Sequence, residues 1–268
     1  MRIGSRGSAL ALVQARWVAD HLPGDGHEVV TITTTGDRDR AAPDKAKWVK
    51  ELERALLTGE IDLAVHSAKD VPSWMPDGLE LVGAPPRADP RDVVVGRLAG
   101  RVGTSSPRRA AMLRAMHPEA SVVEVRGNVD TRLRKLADGE LDGLLLAAAG
   151  LARLGRTERA TPLDMVPAPG QGTLALQARA GTGPLLRDPA TWAALTCERA
   201  CTRALGADCH SAVGVHHDGT RLRVWVGAED GAGWVADELA GEPSEALGLQ
   251  AAERILAAGA GRYLGTVA

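Results

Sequence analysis

Four short polar clusters in the 268-residue sequence bring together side chains that bind anions or move protons. They occupy residues 6–8, 67–70, 104–109 and 126–132, each beside a short apolar run or the start of an amphipathic one. Ligands of open α/β sheets collect beyond the carboxyl ends of the strands, and the four clusters fall at such places. Arginine makes up 27 of the 32 basic residues, and it forms bidentate pairs with carboxylates. This bias indicates either a ligand with many carboxylates or only a GC-rich genome.

The cluster at 104–109 is the most informative of the four. Ser106 suits the N-cap of a helix and Pro107 suits its first position. Arg108 and Arg109 then lie in the first turn, where the helix dipole disfavours cations by roughly 0.3–1 kcal/mol each. A bound anion would reverse that sign, because the free N–H groups, the hydroxyls and the two guanidinium groups would all face it. The alternative is a pair of solvated surface arginines.

Asp70 is the acidic residue of the second cluster, and it lies next to Lys69. A carboxylate among cations is either a structural counter-ion or a group that stabilises a cation or moves a proton. His66 is expected to pack within or beside the preceding strand and is given no role. The turn at 170–172, Gly-Gln-Gly, is a weak signal on its own.

Three cysteines are an odd number and too few for a disulfide framework. Cys197 and Cys201 are predicted to be small buried helix residues, and their spacing to Cys209-His210 is poor for zinc, so no metal is expected. Cys209 lies in a polar loop before the predicted strand at 213–215. An exposed loop thiol is a candidate nucleophile or attachment point.

The elements that position these residues alternate between strand and helix patterns. The predicted strands and helices follow one another at 10–18, 29–32, 49–56, 63–65, 101–103, 107–116, 122–125, 131–137 and 144–146. This alternation is typical of α/β proteins, and it predicts mostly parallel sheets with helices on both faces.

The pattern changes after about Thr196. Apolar residues alternate with polar ones at 222–226, and a second strand is predicted at 234–239, across the Asp230-Gly231 turn. A helix is predicted at 244–258. The C-terminal part is therefore expected to be a small α+β domain.

Composition excludes several classes of protein. Apolar residues make up 44% of the chain and charged residues 25%, which is too apolar for disorder. The net charge of −2 argues against a general nucleic-acid binder. The sequence has no run of about 18 apolar residues, so no membrane span is expected. The first residues lack the apolar stretch of a secretory signal, and we expect a cytoplasmic protein.

Seven ordered motifs resemble the porphobilinogen deaminase family, and the resemblance runs from Arg2 to about Leu264. The motifs are RGSALALVQA at 6–15, HSAKDVP at 66–72, DPRD at 89–92, GTSSPRR at 103–109, RGNVDTRL at 126–133, AGLARLG at 149–155 and PGQG at 169–172. Any one of them alone is a weak signal, whereas seven in order with sensible spacing are not a chance similarity.

The resemblance implies a fold and an activity. The implied fold has two α/β domains like type II periplasmic binding proteins, at 1–86 with 172–192 and at 91–167, and a small α+β domain at 195–268. The implied activity is that of a transferase of heme and tetrapyrrole biosynthesis. It joins four porphobilinogen molecules head to tail, releases ammonia at each step, and releases hydroxymethylbilane by hydrolysis. We expect a monomer.

The resemblance also implies roles for single residues. Cys209 matches the cysteine that carries a covalent dipyrromethane primer, and Asp70 matches the catalytic carboxylate. The positions implied to bind the primer are Lys69, Thr104, Ser106, Arg108, Arg109, Arg126 and Arg132. The positions implied to bind substrate are Arg6, Ser8, Gln14, Lys45, Arg153 and Gln171.

The sequence departs from the family pattern in three places, one of which is an abbreviated link at 95–101. The stretch 36–48 is shortened where the family has a longer loop, and Ala207-Asp208 replaces the usual glycine-rich pair before Cys209. An acid at that position opposes formation of the thiolate. These departures keep open a divergent paralogue with altered or no activity, and a two-lobed binding protein for a small carboxylate is the other alternative. An intact mass with two extra pyrrole units would favour the enzyme over both.

Overall fold

A computed structural model describes residues 1–32, 46–208 and 211–264, and the side chains of residues 49 onward within the second range. The described chain divides into two compact units. Unit 1 comprises Met1–Ala88 with Thr173–Trp192, and unit 2 comprises Asp89–Gly172 with Ala193–Ala268. The three-domain division expected from the sequence stays a prediction.

Strands and helices alternate through the first two thirds of the described chain. The strands are β1 Arg2–Ser5, β2 Glu28–Thr31, β3 Leu63–Ser67, β4 Leu79–Gly83, β5 Asp92–Gly96, β6 Gly100–Thr104, β7 Ala120–Glu124, β8 Gly143–Ala147, β9 Ala160–Leu163, β10 Leu174–Arg179, β11 Val213–His217, β12 Arg221–Gly227 and β13 Trp234–Ala240. The α-helices are α1 Ala9–His21, α2 Ala46–Leu57, α3 Pro107–Met116, α4 Val129–Ala137, α5 Ala148–Arg153, α6 Pro189–Ala204 and α7 Glu245–Ala257. None of the described helices has the length and apolarity to cross a membrane.

Unit 1 is built on a five-stranded sheet in the order β2-β1-β3-β10-β4. Successive side chains of a strand point to opposite faces, so each face of this apolar sheet needs a cover. Leu63 and Val65 pack with Val18 of α1 on one face. Ala64 packs with Leu52 of α2 on the other. The prediction of helices on both faces of the sheet is therefore confirmed.

Unit 2 contains a second five-stranded sheet, in the order β7-β6-β8-β5-β9. Val94 and Leu145 pack with Met112 of α3 on one face. Val93 and Leu144 lie in a separate cluster on the other face, together with residues of α4 and α5. The α/β class predicted from the sequence is confirmed in both units.

The expectation of mostly parallel sheets is wrong. β1 pairs in parallel with β2 and β3, whereas β10 runs antiparallel to β3 and β4. In unit 2, β6 is parallel to its two neighbours and β5 is antiparallel to β8 and β9. Both sheets are therefore mixed. A strand buried on both faces has the same apolar pattern in either direction, so periodicity alone does not reveal strand direction.

The C-terminal part forms a three-stranded antiparallel sheet, β11-β12-β13. Its core combines Val215 and Val224 with Cys201 of α6 and Ile255 of α7. Ser244 caps α7, since its hydroxyl accepts the N–H of Leu247 at 3.1 Å. The predicted α+β character of this part is confirmed.

Candidate functional site

The cluster at 104–109 forms a capped helix start. Thr104 ends β6, and its Oγ1 accepts the N–H of Ser106 at 3.1 Å. Ser106 is the N-cap of α3, and its hydroxyl accepts the N–H of Arg109 at 3.4 Å. The predicted N-cap, the first-position Pro107 and the bounds of this helix are confirmed.

Arg108 and Arg109 are both buried, and both pair with the fully buried Asp92. Arg108 Nη1 lies 2.6 Å from Asp92 Oδ2, and its Nη2 lies 3.1 Å from Oδ1. Arg109 Nε lies 2.7 Å from the same Oδ1. Backbone carbonyls of Val166 and Leu145 accept further bonds from Arg108 and Arg109, at 2.8 and 3.3 Å. The two arginines are therefore not solvated surface residues.

Asp92 supplies an anion at the start of α3. Burial alone would raise the pKa of this carboxyl, but the charges of Arg108 and Arg109 and their hydrogen bonds hold the pKa below its usual range. Asp92 thus carries a negative charge that offsets the unfavourable dipole position of the two arginines. The implied primer-binding roles of Arg108 and Arg109 stay predictions.

Gln171 joins the same cluster from the turn at 170–172. Its side chain is 1% exposed, and Nε2 donates to the carbonyl of Pro90 at 2.7 Å and to Asp92 Oδ1 at 2.9 Å. Its Oε1 accepts from Arg109 Nη2 at 3.1 Å. The flanking glycines have φ values of +73° and +87°, in the left-handed region that favours glycine. Gly-Gln-Gly is therefore a tight turn that lets Gln171 form hydrogen bonds with both Asp92 and Arg109.

Arg153 supports the same turn from α5. Its Nη2 donates to the carbonyl of Gly172 at 2.7 Å. Burial lowers the pKa of Arg153 to about 10, so the group is still charged at neutral pH.

Arg126 and Arg132 lie at the turn between β7 and α4. The Arg126 side chain is 52% exposed, and its Nε donates to Glu124 at 2.8 Å. Arg132 is partly buried, and its Nε donates to the carbonyl of Gly127 at 2.8 Å. Both cations are thus accessible at least in part, unlike Arg108 and Arg109.

In unit 1, Lys69 and Asp70 lie in a 3₁₀ turn, Ala68–Asp70, that directly follows β3. The N–H of Ala68 donates to the carbonyl of Thr173 at 3.0 Å, and the N–H of Val71 donates to Ala68 at 3.2 Å. Both side chains are partly buried. The structure therefore places Asp70 at the carboxyl end of a central strand, on a backbone turn that is fixed at both ends.

The remaining predicted residues of unit 1 lie near the start of α1. Ser8 caps this helix, and its hydroxyl accepts the N–H of Ala11 at 3.3 Å. Arg6 is partly buried after β1, and Gln14 is 4% exposed on α1. Lys45 lies outside the described residues.

Two of the three cysteines are described. Cys197 and Cys201 are completely buried on α6, as predicted. Burial raises the pKa of Cys197 to about 11 and that of Cys201 to about 12. Cys209 and His210 lie outside the described residues. Next to them, the Asp208 carboxylate accepts the N–H and the hydroxyl of Ser211, both at 3.0 Å.

Two buried acids of this region are not among the predicted site residues. Asp92 opens the apolar run Val93-Val94-Val95, and Glu198 occupies the buried face of α6 with Leu195 and Thr202. The available signal was an acid at an otherwise apolar position, because a buried charge needs partners.

Comparisons with known proteins identify the family. Residues 1–186 match the family model described as "Porphobilinogen deaminase, dipyromethane cofactor binding domain". The porphobilinogen deaminase of Thermus thermophilus is 42% identical over 295 residues, covering 99% of this chain and 98% of that protein. The chain belongs to the porphobilinogen deaminase family. Another family member, from Roseiflexus castenholzii, is 44% identical and covers 97% of this chain and 96% of its own.

The chain also resembles some solved structures at low sequence identity. A periplasmic substrate-binding protein of an ABC transporter from Coxiella burnetii is 14% identical, with a TM-score of 0.39. That match covers 67% of this chain and 85% of the other. No function follows from a likeness at this level.

Proposed function

We propose that this chain is an active porphobilinogen deaminase. It joins four porphobilinogen molecules head to tail, releases one ammonia at each condensation, and releases hydroxymethylbilane by hydrolysis. The observation that carries the proposal is the alignment of 99% of the chain with a porphobilinogen deaminase. Lys69 and Asp70 lie on a turn at a strand end, and Arg108 and Arg109 lie in the first turn of α3. We further propose a cytoplasmic monomer with domains at 1–86 with 172–192, at 91–167 and at 195–268.

The residues proposed to hold the dipyrromethane suit a group that carries several carboxylates. Arg126 and Arg132 offer partly accessible guanidinium groups, and Ser106 offers a hydroxyl at a helix start. Lys69 adds an ammonium group in unit 1. Charge-assisted bonds of this kind are roughly twice as strong as neutral ones. When bound, the dipyrromethane supplies the pyrrole carbon on which the product chain grows.

The buried members of the predicted set have a different proposed part. Arg108 and Arg109 already bind Asp92, and Gln171 bonds to Arg109. In this proposal they hold the start of α3 at a fixed position, and Arg108, Arg109 and Thr104 contribute to primer binding from there. When the supporting groups of a site are already fixed by packing, ligand binding costs less conformational entropy.

Asp70 is the proposed catalytic residue. Loss of ammonia from porphobilinogen leaves a cationic, azafulvene-like pyrrole, which a nearby carboxylate stabilises. The α-carbon of the acceptor pyrrole then attacks and afterwards loses its proton. Asp70 is proposed to accept that proton, because a carboxylate is a competent general base at this step. Arg6, Ser8, Gln14, Lys45, Arg153 and Gln171 are proposed to bind or orient the substrate.

Cys209 is the proposed attachment point for the primer. Thiolates are the nucleophilic form of cysteine, and the pKa values of about 11 and 12 keep Cys197 and Cys201 protonated at neutral pH. The carboxylate and the backbone N–H of Asp208 both form hydrogen bonds with Ser211.

Intact mass and turnover test the proposal together. Protein purified from cells that make porphobilinogen is expected to carry two pyrrole units and to release ammonia from added porphobilinogen. Cys209→Ser is expected to lose both, whereas Cys201→Ser serves as the matched control and keeps both. Reversible porphobilinogen binding with no added mass would identify a binding protein. Added mass without turnover would identify a divergent paralogue.

A further inference from the structure

Glu198 is a completely buried carboxylate on α6 with partners from two other segments of unit 2. Its Oε2 accepts the N–H of Gly170 at 2.7 Å. Its Oε1 accepts the N–H of His217 at 2.9 Å and lies 3.2 Å from Nδ1 of His216. A buried carboxylate is costly unless hydrogen bonds compensate for its lost hydration, and here both oxygens are used.

The first partner of Glu198 belongs to the turn at 170–172. The side-chain amide of the next residue, Gln171, forms hydrogen bonds with both Asp92 and Arg109. A shift of Gly170 therefore moves the group that bridges this ion pair. The carboxylate of Glu198 is thus one hydrogen bond and one residue away from the cluster at the start of α3.

The second partner of Glu198 belongs to β11. The N–H of Val215, on the same strand, donates to the carbonyl of Pro167 at 3.0 Å. The segment that leads into the turn is therefore bonded to β11 at Pro167 and to α6 at Gly170. The side chain of Glu198 therefore links the turn to β11, because its carboxylate bonds to both.

We propose that Glu198 is a positioning residue that holds the Gly170–Gly172 turn, and through it Gln171 and Arg109, against α6 and β11. This inference rests on the proposed function for its catalytic consequence. The role requires two acceptor oxygens that point in different directions. Glutamine has one acceptor, and its NH₂ group would face a backbone N–H, so it can satisfy only one of the two segments.

Amide hydrogen exchange tests the contacts without reference to activity. In Glu198→Gln, at least one of the amides of Gly170 and His217 is expected to exchange about tenfold faster or more than in the parent. Thr202→Val is the matched control, because Thr202 is buried one turn further along α6 and its hydroxyl bonds to the backbone carbonyl of Glu198. This control keeps both amides protected. Unchanged exchange at both amides in Glu198→Gln overturns the proposal.

A double-mutant cycle with Gln171→Ala tests the positioning role. Turnover is measured per folded molecule that carries the dipyrromethane, so that a lower folded fraction alone does not change it. Glu198→Gln and Gln171→Ala are each expected to lower kcat about tenfold. If Glu198 acts through Gln171, the double variant falls no more than about twofold below Gln171→Ala. Independent, multiplicative losses, or parent-like turnover in Glu198→Gln, overturn the role.

The outcome separates this inference from the proposed function. A parent protein without primer or turnover contradicts the proposed function, and the exchange experiment still tests the contacts of Glu198. If Glu198→Gln does not fold, Glu198→Asp replaces it in both experiments. The shorter acid keeps the charge but is too short to bond to both segments. It is therefore expected to expose one of the two amides and to lose turnover in the same non-additive way.

Discussion

Asp92 Oδ1 lies 2.7 Å from Nε of Arg109, and both side chains are buried. The pair joins the first residue of β5 to the first turn of α3. Cations are unfavourable at a helix N-terminus, so an internal carboxylate at this point stabilises an arrangement that the helix dipole opposes. The same carboxylate also binds Arg108, so one anion pairs with two adjacent cations.

Removing the charge of Asp92 is expected to destabilise unit 2. Asp92→Asn keeps the size of the side chain but removes the negative charge that lies against the buried Arg108 and Arg109. Breaking a buried ion pair from one side costs on the order of 3–5 kcal/mol. Urea unfolding at neutral pH measures the change in the free energy of unfolding.

Asp89→Asn is the matched control for this prediction. Asp89 bonds to Arg91 at 2.7 Å, but the two side chains are 35% and 59% exposed. Exposed pairs of this kind contribute about 0–1 kcal/mol, so little change is expected. Equal losses in the two variants would contradict the central role given to Asp92.

Arg126→Leu is expected to impair primer binding without weakening the fold. The side chain is 52% exposed, and surface substitutions usually change stability by less than about 0.5 kcal/mol. Loss of a charge-assisted bond costs roughly 1.5–3 kcal/mol, which corresponds to a tenfold to hundredfold loss in primer loading. The loading rate is followed by intact mass on apo-protein supplied with porphobilinogen.

Two further variants serve as comparisons for Arg126→Leu. Arg134→Leu removes an exposed arginine of the neighbouring helix α4 and is expected to load primer at the parent rate. Arg109→Leu is expected to lose stability as well as loading, because it leaves Asp92 with one cation fewer. Parent-like loading by Arg126→Leu would show that this arginine is a bystander.

Asp70→Asn is expected to abolish most turnover while the protein stays folded. Asparagine keeps the size but removes the charge that stabilises the cationic pyrrole. Loss of one such electrostatic contact costs roughly 3–4 kcal/mol in the transition state, or a hundredfold to a thousandfold in rate. Asp70→Glu moves the charge by one methylene and is expected to leave a slow enzyme. Single-turnover ammonia release from primer-loaded protein is the measurement, and parent-like release by Asp70→Asn would place the essential carboxylate elsewhere.

Local signals were enough to predict the helix that starts the basic cluster. Ser106 and Pro107 are a cap and a first-turn residue whatever surrounds them, and the structure places them so. The C-terminal hairpin was predicted on the same basis, from strict alternation at 222–226 and a turn before Trp234. Such signals depend only on neighbours in sequence.

Partners of buried charges could not be predicted in this way. Asp92 lies 16 residues from Arg108, and Glu198 lies 28 residues from Gly170. Each contact depends on how elements distant in sequence pack together, which periodicity does not specify. The sequence therefore indicated an anion at the start of α3, whereas only the fold shows that Asp92 provides one within the protein.

His66 lies on β3, four residues before Asp70, and it is linked to two other polar side chains. Its Nε2 donates to Gln177 Oε1 at 3.0 Å, and Gln177 Nε2 donates to Glu53 at 3.2 Å. Burial lowers the pKa of His66 from 6.5 to about 4, although the bond to Gln177 opposes the shift. Burial also raises the pKa of Glu53 above its usual value. As the pH is lowered, His66 therefore decreases the free energy of unfolding and Glu53 increases it.

The pH dependence of stability is expected to separate these two groups. Between pH 6.5 and about 4, the unfolded chain binds a proton at His66 and the folded protein does not. The free energy of unfolding therefore decreases as the pH is lowered through this window. The loss is at most about 1.4 kcal/mol per pH unit. His66→Gln, which keeps a donor for Gln177, is expected to flatten it. Glu53→Gln is expected to steepen the loss of stability. The raised pKa of Glu53 makes this carboxylate bind a proton more readily in the folded protein than in the unfolded chain, and the variant removes that contribution. Urea midpoints from pH 7.5 to 4 measure both slopes, and an unchanged slope in His66→Gln would contradict a neutral buried histidine.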